Sequence, residues 1–226
     1  MQRDLLDALR CPVMHEESWL VALVRQADGP ALLEAELACP VCAAEYRISG
    51  GVAHFTETVP PADAYPYTSD MALRLAALLG VAESLRPIAL VGRYAAAGGV
   101  LGSIVAAPQV LINSVAPAGT AAGTAAGTGT GTGTAAASRI VVADRLPLGV
   151  DTLAAIAVDA AHASPAFLES AARALRLGGR LVAPADAAVP VGMRELARDD
   201  TEWVAETTTR ASGLVELRRR APESVG

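Results

Sequence analysis

The spacing of apolar residues changes twice along this chain. In the first ten residues Leu5, Leu6 and Leu9 fall on one face of a short helix. Over residues 19–48 the spacing shortens, and residues 19–25, 34–38 and 46–48 read as strands closing on Gly50-Gly51. From residue 71 it becomes helical, with Met71, Leu75, Leu78 and Leu79 on one face and a stop near Gly80. Continuous apolar runs follow at 88–92, 110–115, 140–143, 153–158 and 181–183, the pattern of strands buried on both faces. Helices are predicted at 97–107, stopped by Pro108, and at 165–177. The second turns Phe167, Leu168, Ala171, Ala172 and Leu175 inward and takes Gly178-Gly179 as its C-cap. Strands alternating with helices predict an α/β fold with a parallel sheet. Two final runs, 203–207 and 214–218, flank Ala211-Ser212-Gly213 and read as an antiparallel hairpin.

These patterns divide the chain into a small β module (1–58), a linker (59–67), an α/β domain (68–220) and a tail (221–226). Residues 117–138, a Gly/Ala/Thr repeat, carry too little apolar bulk to pack and are expected to form a flexible loop. At 226 residues the chain has room for a sizeable core beside the small module. Aromatics make up only 4%, which suits thin, alanine-lined helices packed closely on a sheet. A formal charge of −6 speaks against a nucleic-acid-binding surface, and Arg218-Arg219-Arg220 reads as a solvated strand end. The uncharged-looking stretch 94–138 is broken by Pro108, Pro117 and many Gly and Thr residues, so no membrane span is expected. No export signal is evident, and the chain reads as cytoplasmic with reduced thiols.

The sharpest chemical signal is a pair of cysteine knuckles, one of them altered. Cys39-Pro40-Val41-Cys42 is complete, whereas Cys11-Pro12-Val13-Met14-His15 has Met14 in place of a second cysteine. A structural zinc site needs four ligands in a tetrahedron, and the chain has three cysteines. The fourth ligand is therefore His15 or nothing, because a thioether is a poor ligand and Met14 fills volume. A ribbon that kept its fold by packing while losing its metal is the favoured expectation. A Cys39–Cys42 redox pair is a weaker alternative, since no thioredoxin-like elements surround it.

Residues 1–58, through "LLDALRCPV" and "ELACPVCAAEYRISGGVAHF", resemble the small zinc-ribbon family that activates eukaryotic tRNA and release-factor methyltransferases. Bacterial relatives of that family are short stand-alone proteins or leading segments of methyltransferases. The resemblance implies a zinc ribbon with ligands Cys11, His15, Cys39 and Cys42. Most of residues 68–220 resembles the class I S-adenosylmethionine-dependent methyltransferases, through "IVVADRLPLGVDTLAAIAVDAAHA", "FLESAARALRLGGRLVAP" and "GMRELARDD" followed by "EWVAE". That resemblance implies a Rossmann-like sheet with a C-terminal antiparallel hairpin. It also implies cofactor contacts at Gly92, Asn113, Asp144 and Asp159, with His162 facing a substrate.

Set against the family pattern Asp/Glu-x-Gly-x-Gly-x-Gly, the stretch Leu90-Val91-Gly92-Arg93-Tyr94-Ala95-Ala96 keeps one glycine and loses the acidic lead. Tyr94 would enter the cofactor volume unless the loop is rebuilt, with Gly98-Gly99 as a weak candidate for a shifted turn. Asn113 replaces the ribose-binding carboxylate. Asp144 and His162 also have plain readings, as a loop cap and a helix-entry residue. The expected protein is thus a non-catalytic methyltransferase-like chain, without cofactor, that binds a protein partner such as a methyltransferase paralogue or a second copy. Two alternatives remain open: an active S-adenosylmethionine-dependent methyltransferase with an atypical pocket, and a metal-dependent sensor built on the Cys/His set.

Overall fold

The computed structural model describes residues 1–58, 66–114 and 137–209. After a 3₁₀ turn at Arg3–Ala8, four strands follow: β1 (Val21–Asp28), β2 (Ala31–Ala38), β3 (Glu45–Ser49) and β4 (Val52–His54). Gly50 and Gly51 join β3 to β4 with φ of 55° and 78°, the left-handed conformation that a two-residue hairpin turn requires. Helix α1 (Ser69–Leu79) is capped by Thr68, whose hydroxyl accepts from the Met71 N–H, and ends at Gly80 in the left-handed region (φ 64°). Strand β5 (Ile88–Val91) runs into a 3₁₀ turn (Gly92–Ala97) and the single-turn α2 (Gly98–Leu101). Then come β6 (Gln109–Ile112), β7 (Ala137–Val141), β8 (Leu153–Ala157), α3 (Pro165–Ala174), β9 (Leu175–Pro184), β10 (Met193–Arg198) and β11 (Glu202–Thr207).

Among the described residues, eleven strands form one sheet in the order β1-β2-β3-β4-β7-β6-β5-β8-β9-β11-β10. Strands β7, β6, β5, β8 and β9 are parallel; β11 and β10 close the sheet antiparallel. A parallel core ended by such a hairpin is the Rossmann-like methyltransferase arrangement that the sequence leads one to expect. Residues alternate between the two faces. Ala89, Val91, Val110, Ile112, Ile140 and Leu181 pack with α3 in one core, while Ile88, Leu90, Leu111, Ala155 and Val182 pack beneath α1 and α2 in the other.

Three expectations need correction. The helix predicted at 97–107 shrinks to the 3₁₀ turn and α2. Gly98, Gly99 and Gly102 weaken the helix, and residues 105–107 run extended to bond back to Ala82. The helix at 165–177 stops at Ala174, and Gly178-Gly179 sits inside β9 rather than capping α3. Pairing jumps from Leu153↔Leu175 to Ala155↔Arg180 there, so residues 176–179 bulge outward, with Gly178 at φ 72°. A side chain on Gly179 would come within 2.8 Å of the Arg176 carbonyl, which is why the bulge needs glycine. The antiparallel hairpin pairs Met193–Arg198 with Glu202–Thr207, one strand earlier than expected. The run 214–218 lies outside the described residues, as do 117–136 of the repeat, while Ala137 and Ser138 belong to β7.

The ribbon and the α/β part share both sheet and core. Strand β4 pairs in parallel with β7 through Val52↔Arg139, Ala53↔Ile140 and His54↔Val141. Leu5 and Leu9 lie in the same core cluster as Leu146, Leu148 and Phe167. The Arg10 N–H donates to the Pro147 carbonyl (2.9 Å) and the Gly149 N–H to the Ala8 carbonyl (2.9 Å).

Candidate functional site

Two places collect the chemistry, and the first is the Cys/His cluster. Cys11 leads out of the extended segment that follows the first 3₁₀ turn, and Cys39 to Cys42 forms the turn between β2 and β3. That turn is a preformed knuckle. The Cys39 N–H donates to the Ala44 carbonyl (2.9 Å), and the Ala43 N–H returns to the Cys39 carbonyl (3.0 Å). Ala43 sits at φ 57°, a conformation in which a side chain is strained, so the surroundings hold it there.

The ligand atoms of Cys11, His15, Cys39 and Cys42 all lie within 4.8 Å of one another. Cys11 Sγ stands 3.7 Å from Cys42 Sγ, and Cys39 Sγ stands 3.5 Å from His15 Nε2. A zinc tetrahedron with Zn–S of about 2.3 Å and Zn–N of about 2.05 Å has S–S edges of about 3.8 Å and S–N edges of about 3.5 Å. The two measured pairs share no atom, so they match two opposite edges of that tetrahedron. His15 Nδ1 lies 2.5 Å from the Glu16 carbonyl, which only accepts, so Nδ1 carries the proton and Nε2 keeps its lone pair for a metal. Burial pushes the Cys39 thiol up, but bonds from the Cys42 and Val41 N–H groups and the neighbouring thiols outweigh it and bring it to about 6. Burial likewise raises Cys11. Met14 is exposed and fills no core volume, contrary to expectation; the residue after it has turned inward instead.

Sequence reasoning missed two neighbours. The Tyr46 hydroxyl stands 3.4 Å from Cys11 Sγ, and its pKa is raised by its own burial and by the cysteine beside it. Glu17 accepts from Arg10 (3.2 Å) and pairs with Arg173 on α3, which fastens the first knuckle to the α/β part. A cleft of about 310 Å³ separates Cys11–Glu17 from Arg145, Ala166 and Glu169.

The second place is the carboxyl edge of the parallel strands, where such sheets bind nucleotides. Gly92 follows β5, Asn113 follows β6, Asp144 lies beyond β7 and Asp159 beyond β8. The structure brings two of the four into contact. Gly92 (φ 59°) packs against the Asp159 carboxylate so closely that an added Cβ would lie 2.1 Å from Oδ2. The same oxygen accepts from the Arg93 N–H at 2.8 Å. His162 Nδ1 lies 2.5 Å from Asp159 Oδ1, while its Nε2 is buried with no partner. Burial alone would raise the Asp159 carboxyl, but the bonds from His162 and the Arg93 N–H hold it below its ordinary value.

Asn113 is fully buried at φ 51°. Its Nδ2 donates to the Val142 carbonyl (3.0 Å) and its Oδ1 accepts from the Val142 N–H (2.9 Å), so both polar ends are engaged. Asp144 is exposed. Tyr94 does not enter the cleft. The 3₁₀ turn swings it toward α1, where its ring lies 6.5 Å from that of Tyr67 and its hydroxyl donates to Glu202 at 2.8 Å. Arg74 completes this network with Glu202 (2.7 Å) and Asp199 (2.8 Å).

No protein-family model matches the chain, and no curated protein matches its sequence. Solved structures similar to it include methyltransferases of low identity. TrmN from Thermus thermophilus is 17% identical over 62% of this chain and 49% of its own, with a TM-score of 0.41. Geranyl diphosphate C-methyltransferase from Streptomyces coelicolor A3(2) is 15% identical over 59% of this chain and 56% of its own (TM-score 0.38). The antibiotic-resistance methyltransferase Kmr is 16% identical over 64% of this chain and 95% of its own (TM-score 0.37). The chain thus spans about half the length of the first two. Scores this low carry no weight beside the strand order, which establishes the fold. Among the described residues no helix is long and apolar enough to cross a membrane.

Proposed function

We propose that this chain is a non-catalytic methyltransferase-like protein. A zinc ribbon braces its own Rossmann-like half, and the chain acts by binding a protein partner, either an active paralogue or a second copy. The observation that carries this reading is the Asp159 carboxylate seated on Gly92 and the Arg93 N–H. The one glycine kept from the cofactor loop accommodates the protein's own side chain. A second carboxylate, that of the cofactor's methionine group, would meet a negative charge there. Asn113 is fully buried with both ends of its amide bonded to Val142, away from any ribose hydroxyl, and Asp159 and His162 are 8% and 5% exposed, too enclosed to serve a substrate. The residues present do not fit S-adenosylmethionine in the way the family holds it.

They do fit zinc. Cys11, His15, Cys39 and Cys42 would hold it four-coordinate, with no open position, so the metal would supply cross-linking and no reaction chemistry. The ribbon edge that could dock onto another methyltransferase is occupied within the chain by β7. A partner therefore meets another edge, and β1 at the end of the sheet, with Val21 and Leu23 exposed, is the one this reading favours.

Calorimetric titration with S-adenosylmethionine and S-adenosylhomocysteine tests the central claim. No binding up to millimolar ligand is expected; micromolar binding with methyl transfer would reinstate the active-enzyme alternative. Light scattering and elemental analysis of the purified chain check the partner and zinc parts separately.

A further inference from the structure

The zinc reading of the cluster has a redox consequence that depends on which sulfurs face each other. Cys11 and Cys42 approach to 3.7 Å although they stand on different knuckles. Cys42 is exposed, whereas Cys11 and Cys39 are buried. An oxidant from solvent therefore meets Cys42 first, and the sulfur placed to resolve the product is Cys11. Cys39 also lies beside both of these sulfurs, but it is bonded in addition by the N–H groups of its own turn and faces His15 Nε2 at 3.5 Å.

We propose that Cys11 and Cys42 are redox partners, so that a hydroperoxide converts the zinc-holding cluster into a Cys11–Cys42 disulfide and expels the metal. In the first step the Cys42 thiolate attacks a peroxide oxygen. The S–O bond forms, the O–O bond breaks, and the leaving hydroxide takes up a proton as water. In the second step the Cys11 thiolate attacks the sulfenic sulfur; the S–S bond forms, the S–O bond breaks, and a second hydroxide leaves as water. Two thiolates, one hydrogen peroxide and two protons give one disulfide and two waters. The two electrons come from sulfur, and zinc leaves unchanged as Zn²⁺. His15 and Cys39 alone are too few to keep it.

The geometry gives this reaction a particular outcome. A Cys39–Cys42 bridge would close only the β2–β3 turn and free the first knuckle. A Cys11–Cys42 bridge ties the same two segments that zinc ties. The first of them is fastened to α3 through Glu17 and Arg173. The junction between ribbon and α/β part is thereby kept while the metal is released.

The test uses the full chain as purified, with zinc content measured first, then exposed to hydrogen peroxide with a chromophoric chelator present. The expected result is about one zinc released per chain, with a Cys11–Cys42 linkage found by peptide mass mapping and reversed by dithiothreitol. A Cys39→Ser chain still forms the linkage, and a Cys42→Ser chain loses it by tenfold or more, about the limit of such mapping. A Cys39–Cys42 linkage, an intermolecular one, or retained zinc after oxidation would overturn the proposal. Protein purified without zinc that still forms Cys11–Cys42 would instead overturn the zinc reading and leave the sulfur pairing standing.

Discussion

Gly92 shows how one retained motif residue can change meaning. In sequence it reads as the remnant of a cofactor loop; in the structure it is the floor under the Asp159 carboxylate. Gly92→Ala would place a Cβ 2.1 Å from Asp159 Oδ2 in a residue at φ 59°. We expect it to cost about 3 kcal/mol, combining backbone strain with a forced shift of a buried charge, as read from urea unfolding. Asp159→Asn removes the charge that accepts from Arg93 and His162, an expected loss of about 2 kcal/mol near neutral pH. The sign of its pH dependence follows from the lowered carboxyl. Asp159 stabilises the fold above its unfolded pKa, and that stabilisation is lost as pH falls through the lower folded value. The stability gap between wild type and Asp159→Asn should therefore close as the pH drops below about 4; a gap that widened there would refute the assignment. Spacing alone left His15 as the one candidate for a fourth ligand, with loss of the metal the favoured expectation. That the four ligand atoms converge was not legible, nor was the orientation of His15, because the Glu16 carbonyl that its ring bonds is backbone.

The elements that sequence periodicity placed well are those whose ends carry their own chemistry. Thr68 and Gly80 bracket α1, and Ser164 with Pro165 starts α3, the Ser164 hydroxyl accepting from the Phe167 N–H at 3.3 Å. Ser164→Ala should lower stability by about 1 kcal/mol, measurable by thermal melting, with little change elsewhere. Where glycine had two possible uses, the reading failed. Gly178-Gly179 resembles a helix cap, yet the carbonyls of Ala154 and Arg176 need a bulge at that point. The three-residue strand β4 was also missed, being too short to show a period. It nevertheless carries the junction between the two halves through its parallel pairing with β7. Removing residues 1–58 would leave β7 as an open edge and uncover Leu146 and Leu148. The expected product is insoluble or aggregated protein rather than a folded domain, judged by recovery in the soluble fraction and by circular dichroism.

For the molecule as a whole, the ribbon takes over part of the role that flanking helices usually play in such sheets. Its first turn covers the sheet face beside α3, and the zinc knuckle would hold that turn to the β2–β3 hairpin. Chelation of the metal, or His15→Ala, should thus lower the melting temperature of the entire chain in one transition. A separate low-temperature transition of the ribbon alone would count against the shared core. The chain positions of the parallel strands, the cysteine spacing and the helix stop at Gly80 were legible along the chain, because each depends on neighbours within a few residues. Three matters were decided only by the fold: that Asp159 lies on Gly92, that both polar ends of Asn113 are spent on Val142, and that β4 joins β7. Each of these contacts joins residues 29 to 87 positions apart, through backbone groups and close approaches that local spacing does not record.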